Sequence, residues 1–270
     1  MANDALEDVD GMRSSGKVKE GWIRGVEKQL MKVRYEEVDG YARCEGCIVL
    51  GTIAEMTLLN KVVGENPNLA TNKDFESFGV GISGQYFRWK DGVVPYRVRS
   101  DLLQKDRVRE AVDHWRKRTK LKFIERTALN ATEYPDYISF VPDEGCAAQV
   151  GRQGGEQFVW LGPNCTVGNT IHEIGHAVGL WHEQSREDRD GFVEIRRENI
   201  MPDRAHNFDQ HIGDGDDFNA YDFGSIMHYP RNAFSKNGAD TIVPRTGANI
   251  GQRLTLSDGD VEAVHAMYKL

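Results

Sequence analysis

Apolar and polar positions change period several times along the chain. Residues 93–98, 121–125, 137–141 and 157–161 are short apolar or alternating runs bounded by turn formers, and each predicts a strand. Residues 106–119 keep helical spacing instead, with Val108, Val112 and Trp115 on one face. A second helix is predicted over 169–180. A third begins at Ser257, where Ser257 and Asp260 are placed for a capping box and Val261, Val264 and Tyr268 share a face. Strands and a helix thus come first, then a central helix, then mostly irregular chain. No internal repeat is visible.

The first 79 residues differ. The first twenty are polar and acidic, which predicts poor order or loose packing. The stretch 22–31 reads as a short helix, 43–52 carries Cys44 and Cys47, and 64–68 reads as a loop. Residues 72–84 are rich in Gly, Ser and charge and predict an accessible linker. The chain therefore divides into 1–79 and 80–270.

The 270 residues are 39% apolar and 28% charged, ordinary values for a globular protein with a sizeable core. No apolar run reaches the length of a membrane span. The net charge of −8 disfavours a nucleic-acid partner. The opening Met1-Ala2-Asn3-Asp4 lacks a signal-peptide pattern, so either the protein stays inside the cell or a leader has been removed.

The chemistry concentrates in His172-Glu173-Ile174-Gly175-His176-Ala177-Val178-Gly179-Leu180-Trp181-His182-Glu183. Positions i and i+4 of a helix share a face, so His172 and His176 can point at one ion. Glu173 projects about 100° round the helix from His172. It flanks the metal and can take a proton from water. Gly179 permits the left-handed conformation that ends a helix, so the chain can double back and deliver His182. Three protein ligands leave a fourth position for water, the catalytic form of a zinc site.

Further along stands Ser225-Ile226-Met227-His228-Tyr229. The long zinc motif followed by Glu, with an S-x-M-H-Y methionine turn, resembles the astacin family of metzincin proteases over about residues 80–270. With its first 79 residues attached, the chain resembles a bacterial-type zymogen. The resemblance implies one zinc ion and an α+β metzincin fold: a twisted, mostly parallel or mixed sheet, two helices above the cleft, and an irregular lower half ending in a helix. Met227 would pack beneath the zinc ligands. Tyr229 would ligate zinc through its phenolic oxygen at rest, then swing out to stabilise the oxyanion. Glu183 would sit near the new N-terminus after activation. Residues 157–161, with Val159 and Trp160, would form the edge strand that a substrate peptide extends. Arg253 would reach the pocket for an acidic side chain just after the cleaved bond. Cys146 and Cys165 would form a disulfide, which implies an oxidising compartment and hence secretion.

Family propeptides often carry F-x-G-D-I, whose Asp covers the zinc. Here Cys44 stands at the Phe position and Cys47 at the Asp position. Cys47 could then block the metal as a thiolate, in the manner of the cysteine switch of matrix metalloproteases. Three alternatives stay open: Cys44 as the ligand, a Cys44–Cys47 disulfide, or a separate C-x-x-C site. The expected function is a secreted zinc endopeptidase in latent form. Its expected partners are protein or peptide substrates and an activating protease, with no nucleic acid and no membrane, and a monomer is the default. A catalytically silent zinc-binding module of the same fold is the competing reading. The loop Asp214-Gly215-Asp216-Asp217 is a calcium candidate by composition, but its spacing does not match an EF-hand.

Overall fold

A computed structural model of the chain describes residues 11–24, 30–68, 87–210 and 218–270. The N-terminal region contributes β1 (Val18–Arg24), β2 (Leu30–Val38), β3 (Tyr41–Cys44), β4 (Ile48–Thr52) and helix α1 (Ile53–Glu65). Residues 87–270 contribute β5 (Val93–Val98), α2 (Asp106–Arg118), β6 (Lys122–Glu125), β7 (Tyr137–Pro142), β8 (Cys146–Gln149), β9 (Glu156–Leu161) and α3 (Val167–Ala177). They end with the short β10 (Val193–Ile195) and β11 (Ile242–Pro244) and then α4 (Asp258–Tyr268). Nine strands form one mixed sheet in the order β1-β2-β3-β4-β8-β9-β7-β5-β6.

Helices α2 and α3 pack against the β5–β9 part of this sheet. Val108, Ala111, Val112 and Trp115 of α2 are buried as the helical spacing predicts. The fully buried Trp115 also has its polar atom satisfied, its Nε1 donating to Ile171 O at 3.0 Å. Cys146 and Cys165 are joined in a disulfide. It closes the loop that carries β9 and so constrains the unfolded chain.

The N-terminal region departs from expectation. The described ends of the stretch 22–31, expected as a helix, are strands; residues 25–29 lie outside the described residues. Trp22, Ile23 and Arg24 lie in β1 and pair with Lys32, Met31 and Leu30 of β2. Cross-strand pairing outweighs a weak local helical pattern here. Nor are residues 11–20 loosely packed throughout: Met12 is buried and β1 starts at Val18. The linker predicted over 72–84 falls within 69–86, the calcium candidate 214–217 falls within 211–217, and the opening stretch includes residues 1–10. These lie outside the described residues.

Among the contacts that fasten the N-terminal region to the rest, three stand away from the cluster of histidines described below. Strand β4 pairs in parallel with β8, Ile48 opposite Ala148 and Val49 opposite Gln149. Arg43, 2% exposed, donates to Asp143 at 3.0 Å, and Arg13 reaches the same carboxylate at 3.2 Å. The third is the buried Glu36, which accepts from Ser14 Oγ, Ser15 N and Gly16 N and faces His206 Nε2 at 3.0 Å and Arg204 at 3.6 Å. Burial alone would raise the Glu36 pKa. The hydrogen bonds from His206 and Ser14, the Arg204 charge and the Gly16 N–H outweigh it and pull the carboxyl down to about 2. A pKa lowered by folding stabilises the native state above the unfolded value, and that contribution is lost as pH falls toward 2. Glu36→Gln should therefore destabilise the full chain by about 2 kcal/mol at pH 7. The gap between variant and parent in thermal melts should close between pH 4.5 and 2. A gap unchanged at pH 2 would show that Glu36 does not act as a carboxylate.

Candidate metal centre

Helix α3 starts with a reciprocal capping box, Thr166 with Asn169, and is buried along most of its length. His172 and His176 lie one turn apart on it, and both are buried. Gly175 between them is required by packing, since a Cβ there would stand 2.6 Å from Met227 Sδ. The methionine turn therefore presses directly on the metal-binding helix. Past α3 the chain reverses at Gly179, whose φ of +111° favours glycine. Its N–H donates to His176 O at 2.8 Å. Two residues beyond Leu180 comes the buried His182.

The fourth donor arrives from the N-terminal region. Between β3 and β4 the chain turns through Glu45 and Gly46, at φ +48° and +70°, and presents Cys47. Cys47 Sγ lies 3.7, 3.4 and 3.4 Å from the Nε2 atoms of His172, His176 and His182. The Nε2 atoms of His172 and His182 are 3.3 Å apart. Tetrahedral zinc with bonds of ~2.05 Å to nitrogen and ~2.3 Å to sulfur requires edges of ~3.4 Å between nitrogens and ~3.6 Å from sulfur to nitrogen. These four separations match those edges, and all four atoms lie within 4.8 Å of one another, so the cluster suits a zinc ion.

The tautomers agree. His172 Nδ1 meets Ile226 O at 2.8 Å, His176 Nδ1 meets Leu180 O at 2.8 Å, and His182 Nδ1 meets Glu45 Oε2 at 2.5 Å. With Nδ1 donating, each Nε2 offers a lone pair to the cluster. Burial holds His172 and His176 well below the usual histidine range. Arg253 and the neighbouring histidines add to this at His172, and His182 adds to it at His176. Both are neutral and ready to ligate.

The other predicted residues fall around this cluster. Glu173 is buried beside His172. Tyr229 is fully buried, and its hydroxyl donates to Glu45 O at 2.7 Å. Cys47 Sγ is the fourth potential ligand atom of the cluster, beside the three histidines. Glu183 accepts from Asp222 N at 2.7 Å, and burial pushes its carboxyl up to about 8 against that hydrogen bond. Arg253 lies beneath the site with Nη1 donating to Ile226 O and His228 O at 2.7 and 2.8 Å, so part of its guanidinium braces the methionine turn. Val159 and Trp160 are buried in β9, which lies between β7 and β8 and is not an edge strand. Among residues 87–270 the edge strand beside the site is β8, and β4 occupies it. Cys44 and Cys47 are buried thiols and form no disulfide with each other. The motifs did not signal Glu45, Tyr221 or Gln184. Tyr221 Oη is 2.7 Å from His228 Nε2, and the Gln184 side chain accepts from Tyr229 N at 3.0 Å. Gln184 thus holds the Tyr229 backbone directly, and Tyr221 holds the neighbouring His228.

A histidine pair on a buried helix, a third histidine after a glycine reversal and a methionine turn beneath them define a metzincin-type zinc peptidase. Residues 81–269 match the family model Astacin (Peptidase family M12A), and the chain belongs to that family of metalloendopeptidases. It is 37% identical over 224 residues to zinc metalloproteinase nas-13 of Caenorhabditis elegans, covering 78% of this chain and 46% of the relative. It is 41% identical over 199 residues to bone morphogenetic protein 1 of Xenopus laevis, covering 67% and 27%. Among solved structures, the hatching enzyme zinc-protease high choriolytic enzyme 1 of Oryzias latipes aligns with a TM-score of 0.61 at 36% identity. That alignment covers 67% of this chain and 92% of the other. The chain thus spans less than half the length of these two curated relatives. All three are animal proteins and lend no support to a bacterial type.

Proposed function

We propose that this chain is the latent form of a secreted zinc endopeptidase, with residues 1–79 as inhibitory propeptide and 80–270 as catalytic domain. The observation that carries the reading is the position of Cys47 Sγ within 3.7 Å of three histidine nitrogens, where an attacking water would otherwise stand. Strand β4 reinforces the block by lying along β8, the edge to which an extended peptide would add.

His172, His176 and His182 would hold the zinc, which when bound supplies Lewis acidity and a water of lowered pKa. Glu173 accepts the proton of the attacking water and passes it to the leaving amine. Once the Glu45 carbonyl is gone, the Tyr229 hydroxyl is available to donate to the oxyanion. Glu183, partly buried and raised in pKa by its loss of solvent, is suited to receive the ammonium of a newly cut N-terminus. The guanidinium of Arg253 would favour an acidic residue just after the scissile bond. The Cys146–Cys165 disulfide favours an oxidising compartment. Among the described residues no helix is long and apolar enough to cross a membrane. A silent module would be expected to lack a ligand, Glu173 or Tyr229, and all are present.

The test is casein hydrolysis by the full chain at matched zinc content, before and after limited trypsin, with the cut sites read by mass spectrometry. The expected result is silence before trypsin, activity after it, and cuts enriched before Asp and Glu. Zinc-loaded, trimmed protein that never cuts would establish the silent module. Cuts without an acidic bias would remove Arg253 from the pocket.

A further inference from the structure

The three histidines differ in what holds their outer nitrogens. Ile226 O and Leu180 O, which take those of His172 and His176, belong to the C-terminal region and stay after any N-terminal cut. His182 is held by the carboxylate of Glu45, from the N-terminal region. Glu45 is 2% exposed and its backbone is in the left-handed region, so the contact belongs to a defined turn. Its carbonyl fixes the turn further, accepting from Cys47 N at 2.8 Å and from Tyr229 Oη at 2.7 Å. His182 also lies outside helix α3, so it depends more than the other two on a side-chain partner for its orientation.

We propose that Glu45 is the positioning residue for His182 in the latent chain, a carboxylate partner that the processed enzyme lacks. The proposal rests on the zymogen reading above. An outer carboxylate fixes the tautomer and ring plane of a ligating histidine and makes it a better donor, and its loss costs metal affinity about 10–100-fold. The N-terminal region would then guard the metal as well as block it. Processing removes the Cys47 ligand and the His182 anchor together, so zinc exchange accelerates as the enzyme becomes active.

Transfer of zinc from the full chain to a chromogenic chelator tests this, comparing parent with Glu45→Gln. Cobalt substitution runs in parallel, because a sulfur-to-cobalt charge-transfer band reports Cys47 ligation. The variant should release zinc about tenfold faster while keeping the band. After trimming, both chains have lost residue 45 and are the same polypeptide, so their release rates must coincide. A full-length variant that keeps the band and releases zinc within twofold of the parent overturns the proposal. If Glu45→Gln does not fold, Glu45→Asp, which retains the charge on a shorter arm, carries the same comparison under the same criterion. A parent chain with no charge-transfer band would instead overturn thiolate latency, and the release rates would still decide the role of Glu45.

Discussion

Trimmed enzyme carrying Glu173→Gln should keep its zinc and lose about a thousandfold in kcat/KM on a peptide substrate. The side chain is nearly isosteric, and His172 and His176 keep their partners Ile226 O and Leu180 O, so the metal should remain. What disappears is the group that can accept a proton from water. Glu173 is buried beside His172 on a helix fixed at its start by the Thr166–Asn169 box and pressed by Met227 at Gly175. Zinc content by atomic absorption and kcat/KM on one peptide decide the matter. A rate within tenfold of the parent would place the base elsewhere, and loss of zinc would make Glu173 a structural residue.

The parts of this site that were legible in the sequence are those encoded by local spacing. His172 and His176 share a helical face, Gly179 sits where the helix must reverse, and Ser257 caps the last helix, each a signal carried by neighbouring residues. Helix α2 was legible for the same reason, since its apolar face alone specifies it. Helix α1 should have been readable too, because Thr52 and Glu55 form a capping box visible as T-x-x-E. What could not be read is what depends on distant pairing. Strand β1 exists because β2 pairs with it, and within residues 87–270 β8 rather than β9 is the edge because of a sheet order that no local pattern specifies. Glu45 and Glu36 look like ordinary surface carboxylates in the sequence. Their partners His182 and His206 stand more than a hundred residues away, and only the folded chain brings them together.

The second large effect separates the thiolate from the rest of the block. Full-length Cys47→Ala, loaded with zinc, should process itself on incubation, while the parent stays intact until trypsin is added. With the thiol gone, the fourth position opens to water and Glu173 has a proton to accept. The remaining restraints, β4 along β8, Arg43 on Asp143 and the Glu36 cluster, hold the N-terminal region by ordinary contacts that can open transiently. A thiolate that leaves the competent state only about 1% populated lowers apparent activity about a hundredfold, so its removal should raise the rate of N-terminal loss by that order. Gel analysis over time with N-terminal sequencing of the product gives the readout, and the new end is expected near Val80. If variant and parent stay equally silent until cut, strand pairing and the Glu45 carbonyl on Tyr229 are enough to keep the enzyme latent, and Cys47 serves to retain the metal rather than to withhold activity.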